Sequence, residues 1–258
     1  MKKTLKGLFI TLLFAVLLIP SVKSSAAIAP AAPQDLKLTA QSQSDFVFSF
    51  DYDSNIVLST DINNFGYELV ATTLKNKKLK TVDLNIASNL SEYLITTGEN
   101  PKIITNILYL PYGSNRMNIT FSSGKMATQA FKVKIRAYTY DATGAKVYGD
   151  YSSEKTIVPR ASIKSFKANS KTAGTIKWKK IKGAKSYTVY VSTNGGTKYK
   201  KRGTTIGTSY TIKNMKLWTR YPVYVVANGV KISKKKKVSS TKAEEKASNA
   251  SSVMIKLQ

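Results

Sequence analysis

Acid–base chemistry in this chain would have to come from the carboxylates near its start. Asp45, Asp51, Asp53 and Asp61 fall close together, and paired carboxylates are what glycoside hydrolysis uses. Asp51-x-Asp53-x-Asn55 also has the opening spacing of a calcium loop. However, Ile56 stands where that loop needs glycine and Ile62 where it needs a bidentate glutamate. These acids read as solvated loop residues. Composition removes most other chemistries. There is no Cys and no His, so disulfides, thiolate nucleophiles, Cys-ligated zinc and Ser-His-Asp or Cys-His catalysis are excluded. The commonest neutral-pH base and metal ligand is missing as well. With no phosphate-cradling Gly loop either, the sequence predicts a non-catalytic protein with no metal and no cofactor.

Charge is what the sequence offers instead. The 258 residues carry 41 Lys and Arg against 14 Asp and Glu, a formal net of +27. The excess is not spread evenly. Residues 28–159 hold 13 basic and 12 acidic side chains, whereas residues 160–240 hold 21 basic side chains and no acidic one. Such an asymmetry predicts two units with separate roles. On an 81-residue unit the charges would lie roughly 15 Å apart, beyond a Debye length of about 8 Å, so the unit tolerates its own repulsion while its summed field stays positive. The densest clusters are Lys198-Tyr199-Lys200-Lys201-Arg202 and Lys234-Lys235-Lys236-Lys237, with Lys177 and Lys179 on an earlier segment. Lysines interleaved with Tyr190 and Tyr199 suit a phosphate-bearing polymer, charge giving affinity and rings offering stacking. Lysine on an edge strand also guards against sheet-to-sheet aggregation, and the two readings stand side by side.

The N-terminus reads as a cleaved signal peptide, residues 1–27. Lys2, Lys3 and Lys6 precede the apolar run Leu8 to Ile19, and Ser24-Ser25-Ala26-Ala27 supplies small residues for cleavage. That run spans about 18 Å as a helix, short of a bilayer's roughly 30 Å core. The expected location is therefore secreted or extracellular, with possible association with a cell wall and membrane contact only through the transient leader.

Both units read as strands. In residues 160–240, Ile176 and Trp178 alternate with Lys177 and Lys179. Tyr187, Val189 and Val191 alternate inward, and so do the residues from Tyr221 to Ala227. Turn signals such as Asn194-Gly195-Gly196 and Asn228-Gly229 separate the runs. Period-two alternation with frequent turns predicts an all-β sandwich. In residues 32–159 the runs are Phe46 to Phe50, Phe65 to Ala71, Lys78 to Leu84, Met117 to Phe121, Phe131 to Tyr138 and Lys155 to Val158, with an insertion near 85–111. Val158-Pro159-Arg160-Ala161 reads as a short linker, and 241–258 as a flexible tail with Val253 to Leu257 apolar enough for a docking strand, the last strand of the second unit being either 230–238 or 252–257.

The second unit resembles a fibronectin type III domain. Ile176-Lys177-Trp178 resembles that family's B strand, Gly183-Ala184-Lys185-Ser186-Tyr187-Thr188-Val189-Tyr190 its entry into strand C, and Met215 with Tyr221-x-Val223-x-Val225-x-Ala227 its approach to strand F. Leu217-Trp218 departs from the Pro-Gly common there. The first unit resembles the family through Phe131 to Tyr138 and Tyr148-Gly149-Asp150-Tyr151-Ser152-Ser153, with Phe48 or Phe50 where the B-strand Trp is expected. The resemblance implies two tandem immunoglobulin-like sandwiches, with Trp178, Tyr187 and Tyr221 as core. It also implies that strands C, F and G share a sheet, so that the two lysine clusters share a face with Tyr190 and Tyr224. The expected function is binding or adhesion through the cationic second domain to an anionic cell-wall or extracellular polymer, with no nucleic acid partner. The alternative is a glycan- or protein-adhesion module using first-domain aromatics Tyr109, Tyr112, Tyr138 and Tyr140, the charge being incidental.

Overall fold

The computed structural model describes residues 28–53, 65–85, 107–109, 116–243 and 251–256. The leader, Asp61, Tyr112 and most of the 85–111 insertion lie outside the described residues. In the first unit the strands are β1 (Gln34–Ser42), β2 (Asp45–Asp51), β3 (Phe65–Thr73), β4 (Lys78–Asn85), β5 (Ile107–Tyr109), β6 (Arg116–Ser122), β7 (Phe131–Tyr140), β8 (Lys146–Tyr148) and β9 (Lys155–Ile157). In the second they are β10 (Ile163–Ser170), β11 (Ala173–Trp178), β12 (Ser186–Ser192), β13 (Tyr199–Thr205), β14 (Ser209–Ile212), β15 (Tyr221–Asn228), β16 (Val230–Lys231), β17 (Lys237–Val238) and β18 (Ser251–Val253).

Each unit is two antiparallel sheets face to face. The first stacks the sheet β1-β2-β6-β5 on β4-β3-β7-β8, with β9 also pairing with β7. The second stacks β10-β11-β14 on β13-β12-β15-β18, with β16 and β17 as a separate hairpin. Alternation explains the layering. On β7, Phe131, Val133, Ile135 and Ala137 are buried while Lys132, Lys134 and Arg136 face outward. On β15, Tyr221, Val223, Val225 and Ala227 point inward. Burying each such large apolar side chain stabilises the fold by roughly 1.5–3 kcal/mol.

The two cores are built alike. Trp178, at the end of β11, meets Tyr187 of β12 at 5.4 Å in an edge contact. Its counterpart in the first unit is Phe50 of β2 against Tyr67 of β3, with ring centroids 4.7 Å apart. Phe50 therefore takes the place of the tryptophan, while Phe48 stacks on Phe121 at 5.8 Å. The insertion adds β5 to the edge of β6, with Leu108 fully buried.

Two regions differ from expectation. The segment Val158-Pro159-Arg160-Ala161 is buried throughout, a packed junction and not an exposed linker. In the tail, Thr241–Ala243 packs at the junction, and of the two expected last strands it is the later one, seen as β18, that pairs with β15. Residues 230–238 turn back on themselves as the β16–β17 hairpin, the chain reversing between Ile232 and Lys236, and Gly229, at φ +68°, separates β15 from β16.

Candidate polyanion-binding surface

Every Lys and Arg from 160 to 240 is exposed except Arg160. No Asp or Glu lies between Glu154 and Glu244, so these cations have no acid interspersed among them. The ion pairs between described residues fall in the first unit. Arg116 bridges Asp35 at 2.9 Å and Asp51 at 2.7 Å, and Arg136 holds Glu68 at 2.7 Å. Lys132 meets Glu154 at 2.9 Å and Lys146 meets Asp83 at 2.6 Å. The Arg116 pair engages one of the four early acids, Asp51. The Asp35 carboxyl sits below its usual range through its contacts with Lys37 and Arg116. Among the described residues no group of three potential metal ligands converges.

First-unit rings are likewise occupied. The Lys134 amine lies 3.8 Å over Tyr151, the Arg136 guanidinium 3.7 Å over Tyr148, and the Lys146 amine 3.9 Å over Tyr138. The Tyr151 hydroxyl donates to Glu68 at 2.8 Å. Burial, then that carboxylate, push the phenol up to about 12. Tyr138, expected as a ligand platform, is instead buried, in edge contact with Tyr140 and Tyr148 at 5.6 Å each. Gly66 lies directly opposite on β3, where any Cβ would collide with the Tyr138 ring.

The structure separates the expected second-unit residues into three places. Lys198, Lys200, Lys201 and Arg202 lie on or just before β13, the sheet edge. That strand is held from behind by Tyr210, whose hydroxyl donates to the Arg202 carbonyl at 2.7 Å and whose ring fills the space beside Gly203. Lys234, Lys235 and Lys236 occupy the turn of the hairpin, and Lys237 opens β17. The turn is closed by Ile232 N–H on the Lys236 carbonyl at 3.0 Å and Lys236 N–H on the Ser233 hydroxyl at 3.1 Å. Tyr199 pairs with Ser192 at one end of β12, while the hairpin follows Asn228, opposite Ser186 at the other end. The two clusters thus sit on the order of 20 Å apart along the strand and do not form one patch. The expectation of a shared face assumed that 230–238 was the last strand, which is β18 instead. Lys177 faces out from the opposite sheet, in a row with Ser165 and Ser209, and Lys179 follows β11.

Tyr190 and Tyr199 are not open stacking platforms. Tyr190 stacks on Tyr224 at 4.9 Å, and Tyr199 leans on Tyr224 at 4.8 Å. The buried Arg160 guanidinium sits 4.3 Å over Tyr224. Burial raises the pKa of Tyr199 and Tyr224 and lowers that of Arg160. The rings form a seat for the junction arginine, and only a contact between distant segments, invisible to local pattern, reveals it.

Trp178, Tyr187 and Tyr221 are core as expected. The Ile181 N–H donates to the Tyr187 hydroxyl at 2.9 Å and the Lys216 N–H to the Tyr221 hydroxyl at 2.8 Å. The second bond is the corner hydrogen bond of such sandwiches. In both units the first two strands share one sheet with a later strand, β6 or β14, and the third and fourth lie in the other with β7 or β15, so the two repeat one arrangement. The fold is fibronectin type III-like.

Solved structures of that kind are found on comparison. Two fibronectin type III domains of chicken tenascin match at 15% identity over 87% of this chain and 99% of theirs, with a TM-score of 0.28. The FN1–FN3 domains of chicken CNTN1 match at 16% identity over 77% of this chain, with a TM-score of 0.28, and the chain spans 60% of their length. An FN3tt mutant matches at 22% identity over 26% of this chain and 79% of its own, at 0.23. No family model and no curated protein matches the chain. This fold hosts many unrelated functions, so the ligand has to be read from the surface.

Proposed function

We propose that the protein is an exported, non-catalytic binding module whose second sandwich associates with an anionic cell-surface or extracellular polymer. One observation carries the reading: in residues 160–240 every cation but Arg160 is exposed and no acid is present, while in the first unit Lys37, Arg116, Lys132, Arg136 and Lys146 meet acids and Lys134 a ring. A surface kept only for solubility mixes both signs. The contacts are those of lysine and arginine with phosphate or carboxylate oxygens, made by separate clusters along a flexible polymer, and driven by counterion release. Export is supported by the leader pattern at residues 1–27.

The test is retention of residues 28–258 on immobilised wall teichoic acid across a salt series, with neutral dextran as control. Both units stay together because Leu74 and Ala130 of the first pack into the core of the second. Five phosphate contacts would lose roughly 100-fold in affinity between 50 and 200 mM salt. Replacing Lys200, Lys201 and Arg202 with Glu, or Lys234 to Lys237 with Glu, should each weaken retention and flatten the salt slope. Retention that ignores salt, or equal retention on dextran, overturns the proposal.

A further inference from the structure

At the end of the second sandwich remote from the first, three connections and the chain's last described residues converge. The β12–β13 loop lies there, since Ser192 pairs with Tyr199. The β10–β11 turn is tied to the β14–β15 loop by Met215 N–H on the Thr172 carbonyl at 2.9 Å. Residues 254–256 join them through the Leu217–Ile255 bridge and Trp218 N–H on the Ile255 carbonyl at 3.0 Å. The opposite end meets the first unit, with Lys182 N–H on the Thr128 carbonyl at 2.8 Å.

This free end presents Trp218, 57% exposed and the one large aromatic side chain so exposed among the described residues. Its backbone sits at φ +57°, a left-handed conformation that costs a bulky residue free energy and glycine none. A turn that keeps tryptophan where glycine would relax the chain has a use for the ring. Around it, on the same connections, stand Lys171, Lys198, Lys213, Lys216, Arg220 and Lys256, all exposed.

We propose that this end docks on an anionic phospholipid bilayer, with Trp218 entering the headgroup layer and the surrounding cations meeting lipid phosphates. This rests on the polyanion reading above and names a lipid surface as an anion the protein meets. It also replaces the expectation that membrane contact is confined to the leader. An indole is apolar in its body and polar at its N–H, and such rings settle at the bilayer interface. Cations near an anionic leaflet each strengthen attachment by about fivefold. A sugar or base platform is disfavoured, because the other second-unit rings are committed: Tyr190, Tyr199 and Tyr224 to one another, Tyr210 to β13, and Trp178, Tyr187 and Tyr221 to the core.

The chain has two tryptophans and Trp178 is buried, so changes in intrinsic fluorescence report Trp218. Residues 28–258 are mixed at 50 mM salt with vesicles of phosphatidylglycerol and phosphatidylcholine, with phosphatidylcholine alone, with soluble teichoic acid and with dextran. The proposal expects a blue-shifted emission and several-fold weaker acrylamide quenching with the anionic vesicles only. Trp218→Gly, which suits the left-handed turn and should fold, is expected to lose several-fold in vesicle affinity while keeping its teichoic acid binding. Cosedimentation with vesicles without any change at Trp218 overturns insertion and leaves the polyanion reading standing. So does teichoic acid binding without vesicle binding. Binding to neither overturns both, and an equal shift with dextran makes Trp218 a sugar platform and overturns the lipid proposal.

Discussion

Gln41 is the side chain on which the junction between the sandwiches depends most directly. It is buried, its Nε2 donates to the Arg160 carbonyl at 3.2 Å, and its Oε1 accepts from the Arg160 N–H at 3.1 Å. Gln41→Ala takes the partner from one buried backbone donor and one buried acceptor. Each such loss costs about 1–3 kcal/mol, so a total near 3 kcal/mol is expected. For a cooperative body of this size that lowers Tm by roughly 6–12 °C. Gln41→Leu restores the volume but neither hydrogen bond, so it should lose nearly as much, which separates polar satisfaction from packing. Differential scanning calorimetry reads the shift and shows whether one transition splits into two. Trypsin gives a second readout, because Arg160 is only 6% exposed in the intact protein and should become cleavable as the junction opens. If Gln41→Ala melts within a degree of the parent and stays resistant at Arg160, the junction is not held as described. If Gln41→Leu recovers full stability, packing and not hydrogen bonding carries it.

Three further outcomes are expected. Tyr221→Phe leaves the Lys216 N–H without the hydroxyl it meets at 2.8 Å and should cost about 1–2 kcal/mol by urea titration; an unchanged midpoint refutes the corner bond. Trp218→Gly should raise stability by about 0.5–1 kcal/mol, the left-handed strain relieved less the added entropy of glycine; a fall in Tm would mean the ring packs more than its exposure implies. Tyr67, Tyr138 and Tyr151 are all held neutral above their ordinary range, chiefly by burial and for Tyr151 up to about 12. Their contribution is full below the unfolded phenol value of about 10 and is lost as pH rises above it. Melting temperatures from pH 9 to 12 should therefore fall steeply above pH 10, and a flat profile refutes this.

Much of the fold was legible because alternation is strict where one face is buried. The strands from Phe131 and Tyr221 follow it closely, and Trp178, Tyr187 and Tyr221 declare the second core. β1 was not legible because register shifts between Gln34 and Lys37 and between Leu38 and Ala40 break its period. β18 is three residues in an Ala/Ser-rich stretch and takes its identity from pairing with Tyr221 to Val223. The charge boundary was plain in the sequence, but its geometry was not. Which face a lysine occupies depends on whether 230–238 or 251–253 closes the sheet, and that choice is made by long-range pairing. Tyr190 and Tyr199 read as ligand rings in the sequence because their packing on Tyr224, which carries Arg160 from the junction, joins segments far apart in the chain.

The segment from Ser240 to Ala243 fixes an order of events. The Ser240 hydroxyl donates to the Pro159 carbonyl at 2.8 Å, Thr241 exchanges two hydrogen bonds with Val158 at 2.8 and 2.9 Å, and Ala243 packs into the core of the first sandwich. The residues that finish the first sandwich thus follow the whole cationic block in the chain and are delivered only after it. A nascent chain halted at the charge boundary carries a first sandwich without these contacts, which form only once residues 240–243 have been made. Synthesis and completion run in opposite directions along this polypeptide, which makes its two halves, so different in charge, a single unit of assembly.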